Sequence, residues 1–336
     1  MQAVVCEKPF ALAVTERTAP SRMPREVLVR IQRVGLCGTD YHIYSGKHPY
    51  LSYPRVFGHE LSGEIVEADA SSPFRAGQQV TINPYLACEV CVACRNGKPN
   101  CCVSLRVLGV HVDGGMCEFM SLPQEAIIDA SGLSLDQAAM VEFLAIGAHA
   151  LQRANVSPGD RVLIVGAGPI GIGVALFARM AGATVTIMDT LAERLQFART
   201  SLEFGSVVRA GDDAADELAH LTGGEMFECV FDATGNLSSM CAGLRNVGHG
   251  GRYVLVGVAQ GDISFSDPEF HKRETTLLGS RNALNEDFSR VIASISNGSI
   301  PTALLHTHSL SANEAPRRIP ELIGNIGSVM KAIVTL

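Results

Sequence analysis

The stretch VLIVGAGPIGIG, Val162–Gly173, decides the fold. A short apolar run ends in Gly166-x-Gly168-x-x-Gly171, and an apolar, helix-compatible segment follows. Alone, three such glycines are weak evidence, because glycine punctuates many turns. The surroundings make them specific. A strand-like run, Arg161–Val165, precedes the loop, and a second β-branched run, Thr184–Met188, ends in Asp189, eighteen residues beyond Gly171. In a dinucleotide-binding βαβ unit the first glycine permits the tight turn. The second lets backbone approach a pyrophosphate, and the third lets helix lie on strand, with the helix N-terminus attracting the negative charge. Asp189 is then expected to accept hydrogen bonds from the adenosine ribose, and its carboxylate favours NAD over NADP, although Arg194 nearby could pair a phosphate. Candidate cofactor contacts are Gly166, Gly168, Pro169, Ile170, Gly171, Asp189, Arg194, Thr234 and Gly257.

Further runs at Cys229–Phe231, Tyr253–Val256 and Thr276–Leu278 are separated by helix-length segments, the βαβ rhythm of a parallel sheet. On the N-terminal side the rhythm changes. Short β-branched runs (Val27–Val34, Leu61–Val66, Gln79–Ile82) alternate with Gly, Pro, Asn and Asp turns, and the C-terminal tail ends in a strand-like Ala332–Thr335. The layout expected is α/β: a doubly wound Rossmann domain inserted in a β-rich domain that the tail rejoins. With 336 residues, more than one core is the prior.

A net charge of -7 disfavours a nucleic-acid partner, which would need a basic field. The N-terminal MQAVVCEKPF carries Glu7 and Lys8 and no apolar core of the roughly 7–15 residues a secretory signal needs. The apolar Val162–Gly182 contains Arg179, a proline and five glycines, which the loop explains better than a membrane span does. A soluble, cytoplasmic protein is expected. In that compartment thiols stay reduced and clustered cysteines favour metal.

Five of the ten cysteines fall in CEVCVACRNGKPNCC, Cys88–Cys102. Disulfides across such short loops would be strained, and an iron–sulfur cluster would need redox partners that nothing suggests. Cys88, Cys91 and Cys94, with either Cys101 or Cys102, can surround a structural Zn²⁺. A second constellation is spread more widely: Cys37, Thr39, Asp40 and His42 in GLCGTDYH, His59 and Glu60 in VFGHELSGEI, and Glu142 in MVEFLAIGAHA. Thiol, imidazole and carboxylate form a catalytic type of zinc set, with a position left for water or substrate.

Taken together, Cys37-Gly38-Thr39-Asp40 with His42, Gly58-His59-Glu60, the cysteine lobe, Gly114-Gly115 before Glu118, and the Gly166 loop resemble the zinc-dependent medium-chain dehydrogenases over essentially the whole chain. The resemblance implies a GroES-like catalytic domain at 1–146, an NAD-binding Rossmann domain at 147–282, and a return to the catalytic domain at 283–336. It implies structural zinc on Cys88, Cys91, Cys94 and Cys102, leaving Cys101 aside. It also implies a catalytic zinc on Cys37, His59 and Glu142, with Glu60 a direct ligand in some states. A carboxylate at Glu142 is similar to the sorbitol- and threonine-dehydrogenase-like branch, where proline usually follows; this chain has Phe143.

A narrower likeness in YPRVFGHE, GVHVDGG and FSDPEFHKRETTLLGSRNA resembles bacterial dehydrogenases that act at C5 of a hexonic acid. The implied reaction is oxidation of a secondary hydroxyl of a sugar acid or polyol, with hydride passing to NAD. Zinc would act as Lewis acid, and Thr39 and His42 would relay the proton. Arg281 is the candidate partner for a substrate carboxylate, and His48, Glu118 and Asn282 are candidate polyol contacts. The resemblance further implies a homo-oligomer, dimer or tetramer. Rival readings are a threonine-type amino-alcohol dehydrogenase and a dinucleotide-binding protein without chemistry.

Overall fold

The structure, a computed structural model, describes residues 1–47 and 52–336. The chain divides into two compact units, Met1–Phe143 with Leu284–Leu336, and Leu144–Ala283.

In the second unit six strands form one parallel sheet. Their order is Ser206–Arg209, Thr184–Asp189, Arg161–Val165, Phe227–Asp232, Val247–Leu255, Thr276–Gly279. The chain moves outward one way from Arg161–Val165, then returns to its other side at Phe227–Asp232. That reversal is the topological switch point of a doubly wound sheet, where ligands bind beyond the strand C-termini. Strands covered on both faces should read as continuous apolar runs, and Val162, Leu163, Ile164 and Val165 are all buried. Helix Pro169–Met180 starts directly after the glycine loop. Gly168 stands at its N-cap, and Pro169 supplies the preset φ of a first helical residue.

The first unit is mainly antiparallel. Its seven-stranded sheet runs Ile127–Asp129, Gln79–Ile82, Glu60–Glu67, Glu26–Leu36, Lys331–Thr335, His306–Ser311, with Phe119–Pro123 also paired to Glu26–Leu36. The C-terminal Lys331–Thr335 therefore lies beside an N-terminal strand, Val334 opposite Val34 and Ala332 opposite Leu36. Val27, Val29 and Ile31 alternate into the core, and Val34 rejoins it beyond a register shift. Each such side chain contributes about 1.5–3 kcal/mol when fully buried.

Strand Glu26–Leu36 delivers Cys37, which opens the short helix Gly38–Tyr44. Between the paired strands Tyr85–Leu86 and Arg106–Val107 lies the cysteine lobe, with the helix Val92–Arg95 inside it. No helix among the described residues is long and apolar enough to cross a membrane.

Candidate active site and metal centres

Cys37 directly follows one strand of the first unit, His59 directly precedes the adjacent strand, and Glu60 opens it. Gly35, two residues before Cys37, pairs directly with Glu60. A Cβ at Gly35 would stand 2.2 Å from Glu60 Oε2 and 2.9 Å from its Cβ, so only glycine leaves room for that carboxylate. One ligating atom from each of Cys37, His59 and Glu60 lies within 4.8 Å of the others. His59 and Glu60 are buried, and Cys37 is half-buried.

Asp40, fully buried, organises this corner. Its Oδ2 accepts the Cys37 N–H at 2.9 Å and its Oδ1 accepts the Gly58 N–H at 3.2 Å. Oδ1 also lies 3.9 Å from His59 Nδ1, too far for a hydrogen bond. Burial raises the Asp40 pKa. Burial opposes a charge on His59, yet Asp40 and Cys37 outweigh it and hold the imidazole pKa well above its ordinary value.

Glu142 sits in the first turn of helix Val141–Ala154, buried, outside the 4.8 Å trio. The Tyr85 hydroxyl donates to its Oε1, while Oε2 is buried without a partner, as is His59 Nδ1. Burial, with Glu60's charge adding and His59 opposing, pushes the Glu142 carboxyl up to about 7. Burial and the neighbouring Glu142 charge raise the Tyr85 phenol well above its usual range.

Lys331 is absent from every sequence motif. Its ammonium donates to both Glu60 oxygens, at 2.6 and 2.5 Å, and to the Leu36 carbonyl at 3.1 Å. Its Nζ also lies 4.3 Å from the Phe143 ring centroid. Phe143, where the resembling branch has proline, thus walls one side of a buried Lys–Glu pair. A lysine at the head of the apolar run Lys331–Thr335 was the available signal, since a charge in a buried strand must be paired.

The donor set fits zinc. A thiol, an imidazole and a carboxylate converge, and two buried ligand-type atoms of this corner, His59 Nδ1 and Glu142 Oε2, are orphaned without an ion. The second group, Cys88, Cys91, Cys94 and Cys102, also has its sulfurs within 4.8 Å of one another. The Cys88 N–H donates to Cys102 Sγ at 3.2 Å. N–H groups of Cys94 and Val103 help draw the Cys91 thiol down to about 6. Four cysteines with no open position match a structural site. Cys101 is exposed and outside the group, and all ten cysteines are free.

Thr39 and His42 lie three residues apart on helix Gly38–Tyr44, hence on one face. Thr39 Oγ1 is 3.7 Å from Cys37 Sγ, and His42 is exposed. Glu118 is engaged through one oxygen, its Oε2 accepting the Gln2 N–H at 2.8 Å. His48 lies outside the described residues.

In the second unit Asp189 is buried and already engaged. Its Oδ2 accepts the Ala167 N–H at 2.6 Å and its Oδ1 the Leu191 N–H at 2.8 Å. It therefore clamps the glycine loop. Arg194 Nη1 is 3.9 Å from Asp189 Oδ2. Thr234, exposed, donates through N and Oγ1 to Asp232 Oδ1, and the Gly257 N–H donates to the Asp232 carbonyl, so both stand just beyond strand C-termini. Arg281 is exposed, and Asn282 adopts a left-handed φ of 54°.

Comparison with known proteins agrees with this geometry. Residues 23–132 match the family model described as Alcohol dehydrogenase GroES-like domain, and residues 169–297 that described as Zinc-binding dehydrogenase. The chain is 40% identical over 336 residues to L-galactonate-5-dehydrogenase of Escherichia coli (strain K12), covering 100% of this chain and 99% of that one. It is 29% identical to sorbitol dehydrogenase 1 of Saccharomyces cerevisiae, covering 99% and 97%. A crystal structure described as the short chain alcohol dehydrogenase rspB from Escherichia coli CFT073, complexed with cofactor NADH, superposes with a TM-score of 0.93 at 29% identity, covering 100% and 99%.

Proposed function

The chain belongs to the zinc-binding dehydrogenase family, and on that premise we propose that it oxidises a secondary hydroxyl of a sugar acid or polyol, L-galactonate at C5 foremost, with hydride transfer to NAD. The observation that carries this reading is the convergence of Cys37, His59 and Glu60 within 4.8 Å beside the orphaned Glu142 Oε2. Cys37, His59 and Glu142 would hold the catalytic zinc, with Glu60 entering or leaving its shell, and Cys88, Cys91, Cys94 and Cys102 the structural one. Zinc, when bound, supplies a Lewis acid that makes a substrate hydroxyl acidic near neutral pH.

The chain's own residues do the rest. Thr39 Oγ1 takes the hydroxyl proton as it gives its own onward, and His42, exposed on the same helix face, delivers that proton to solvent. The amides around Gly166, Gly168 and Gly171, with Pro169 and Ile170, cradle the pyrophosphate, and Asp189 receives the ribose. Arg194, Thr234 and Gly257 flank the dinucleotide. Arg281 pairs the substrate carboxylate, while Asn282, Glu118 and His48 serve the polyol chain. A homo-oligomer working in the cytoplasm suits a reduced thiol-rich chain of this family.

The test is a spectrophotometric assay of the zinc-loaded protein with NAD⁺ or NADP⁺. Substrates are L-galactonate, other aldonates, sorbitol and L-threonine. NADH formation fastest on L-galactonate is expected. A preference for sorbitol or L-threonine would move the reading to the polyol or amino-alcohol branch. No reduction of either cofactor on any substrate would reject it.

A further inference from the structure

One short ribbon links the two candidate metal-ligand groups of the first unit. Strands Tyr85–Leu86 and Arg106–Val107 pair antiparallel, Tyr85 opposite Val107 and Leu86 opposite Arg106. All four lobe cysteines lie in the excursion between them, closed at its base by the Cys88 N–H on Cys102 Sγ. Below the ribbon the Tyr85 N–H donates to Asn83 Oδ1 at 3.0 Å, and the Leu108 N–H to the Pro84 carbonyl at 3.1 Å. The backbone of Tyr85 is thus held from both sides, three residues ahead of the first lobe cysteine.

Its phenol leaves the ribbon and reaches Glu142. A carboxylate has two oxygens, and Tyr85 occupies only Oε1. Oε2 stays buried and unpartnered in the same corner as the orphaned His59 Nδ1. An unsatisfied buried carboxylate oxygen costs free energy, so its position calls for a ligand that the protein does not itself supply. Hydrogen-bonded partners of this kind orient metal ligands, and their loss weakens metal binding about ten- to a hundredfold.

We propose that Tyr85 is a positioning residue that, by engaging Oε1, presents Oε2 of Glu142 to the metal held at Cys37 and His59, and that the four-cysteine lobe thereby sets the geometry of the catalytic centre. This rests on the reading of Glu142 as a zinc ligand. The lobe is then more than a stabilising staple. Metal in the lobe holds the ribbon, the ribbon holds Tyr85, and Tyr85 selects the oxygen that Glu142 offers.

The test measures metal affinity, independently of turnover. The full chain keeps zinc in the lobe, the Cys37 site is emptied, and Co²⁺ is titrated while its visible absorption is followed. Tyr85→Phe should weaken cobalt about ten- to a hundredfold. Glu142→Gln should weaken it similarly, and the double variant should be no worse than the weaker single, because the phenol acts only through that carboxylate. Wild-type affinity in Tyr85→Phe, or losses that multiply in the double variant, would overturn the proposal. Unchanged affinity in Glu142→Gln would also overturn it, by removing Glu142 as a ligand, while the dehydrogenase reading keeps its own assay. In a Cys94→Ser chain the loss of cobalt affinity should appear with Tyr85 present and vanish in the Tyr85→Phe background. An equal loss in both sinks the link to the lobe. Should Cys94→Ser not fold, the same comparison is made with Leu86→Gly, which loosens the ribbon and keeps all four lobe cysteines, and an equal loss in both backgrounds again sinks the link.

Discussion

At the scale of single residues, the most consequential group is the pair that no motif contains. Lys331 and Glu60 are both buried, and each is the other's main counter-charge. Breaking a buried ion pair by removing one partner costs about 3–5 kcal/mol, because the survivor is left charged or must neutralise, whereas replacing both is far milder. Lys331→Met is therefore expected to destabilise the protein by about that amount in urea unfolding, and Glu60→Gln with Lys331→Met to recover most of the loss. A cost below about 1 kcal/mol for Lys331→Met would show a pair open to solvent. The trio of Cys37, His59 and Glu60 was legible because each sits in a short motif with a chemical reason. Lys331 and Tyr85 were not, since their partners lie 271 and 57 residues away in sequence and no local pattern encodes such a meeting.

At the scale of elements, the loop at Val162–Gly173 was the most legible part of the chain, because its demands are local. A Cβ at Gly171 would stand 1.7 Å from the Gly166 carbonyl oxygen and 3.3 Å from Ile164 Cγ2. No rotamer relieves a clash between backbones, so Gly171→Ala must push helix Pro169–Met180 away from the strand it follows. The expected result is at least about a hundredfold loss of NAD affinity by calorimetric titration, with the metal content unchanged, since the loop's amides no longer converge on one anion. Retained affinity would mean that the loop does not hold the pyrophosphate. Other elements were read short. Most of the apolar run Tyr253–Val256 proves to be the end of a strand, Val247–Leu255, that begins through a glycine-rich VGHGG that local preference disfavours. Pairing with Phe227–Asp232, across a register shift, overrides that preference.

At the scale of the whole molecule, the two cysteine-containing candidate metal sites are expected to divide the work. Cys37→Ser should abolish turnover and leave thermal stability nearly intact. Cys91→Ser should lower the Tm on the order of 10 °C, from about 3 kcal/mol lost at about 2–4 °C per kcal/mol for a unit of this size. Metal analysis should find two zinc ions per wild-type chain and one in each variant. Variants that lost only activity would merge the two roles. The sequence by itself determined the family, the parallel sheet with its glycine loop, and the ligand types, because short-range spacing and residue chemistry carry those. Only the tertiary structure decided how the ligands are held. It laid the C-terminal strand against Glu26–Leu36, which brings Lys331 to Glu60 beneath Phe143, and it carried Tyr85 from the stem of the cysteine lobe to Glu142. Buried charges and hydrogen bonds take whatever partner the packed chain places beside them, and that partner is set by strand pairing across the sheet rather than by neighbours in sequence.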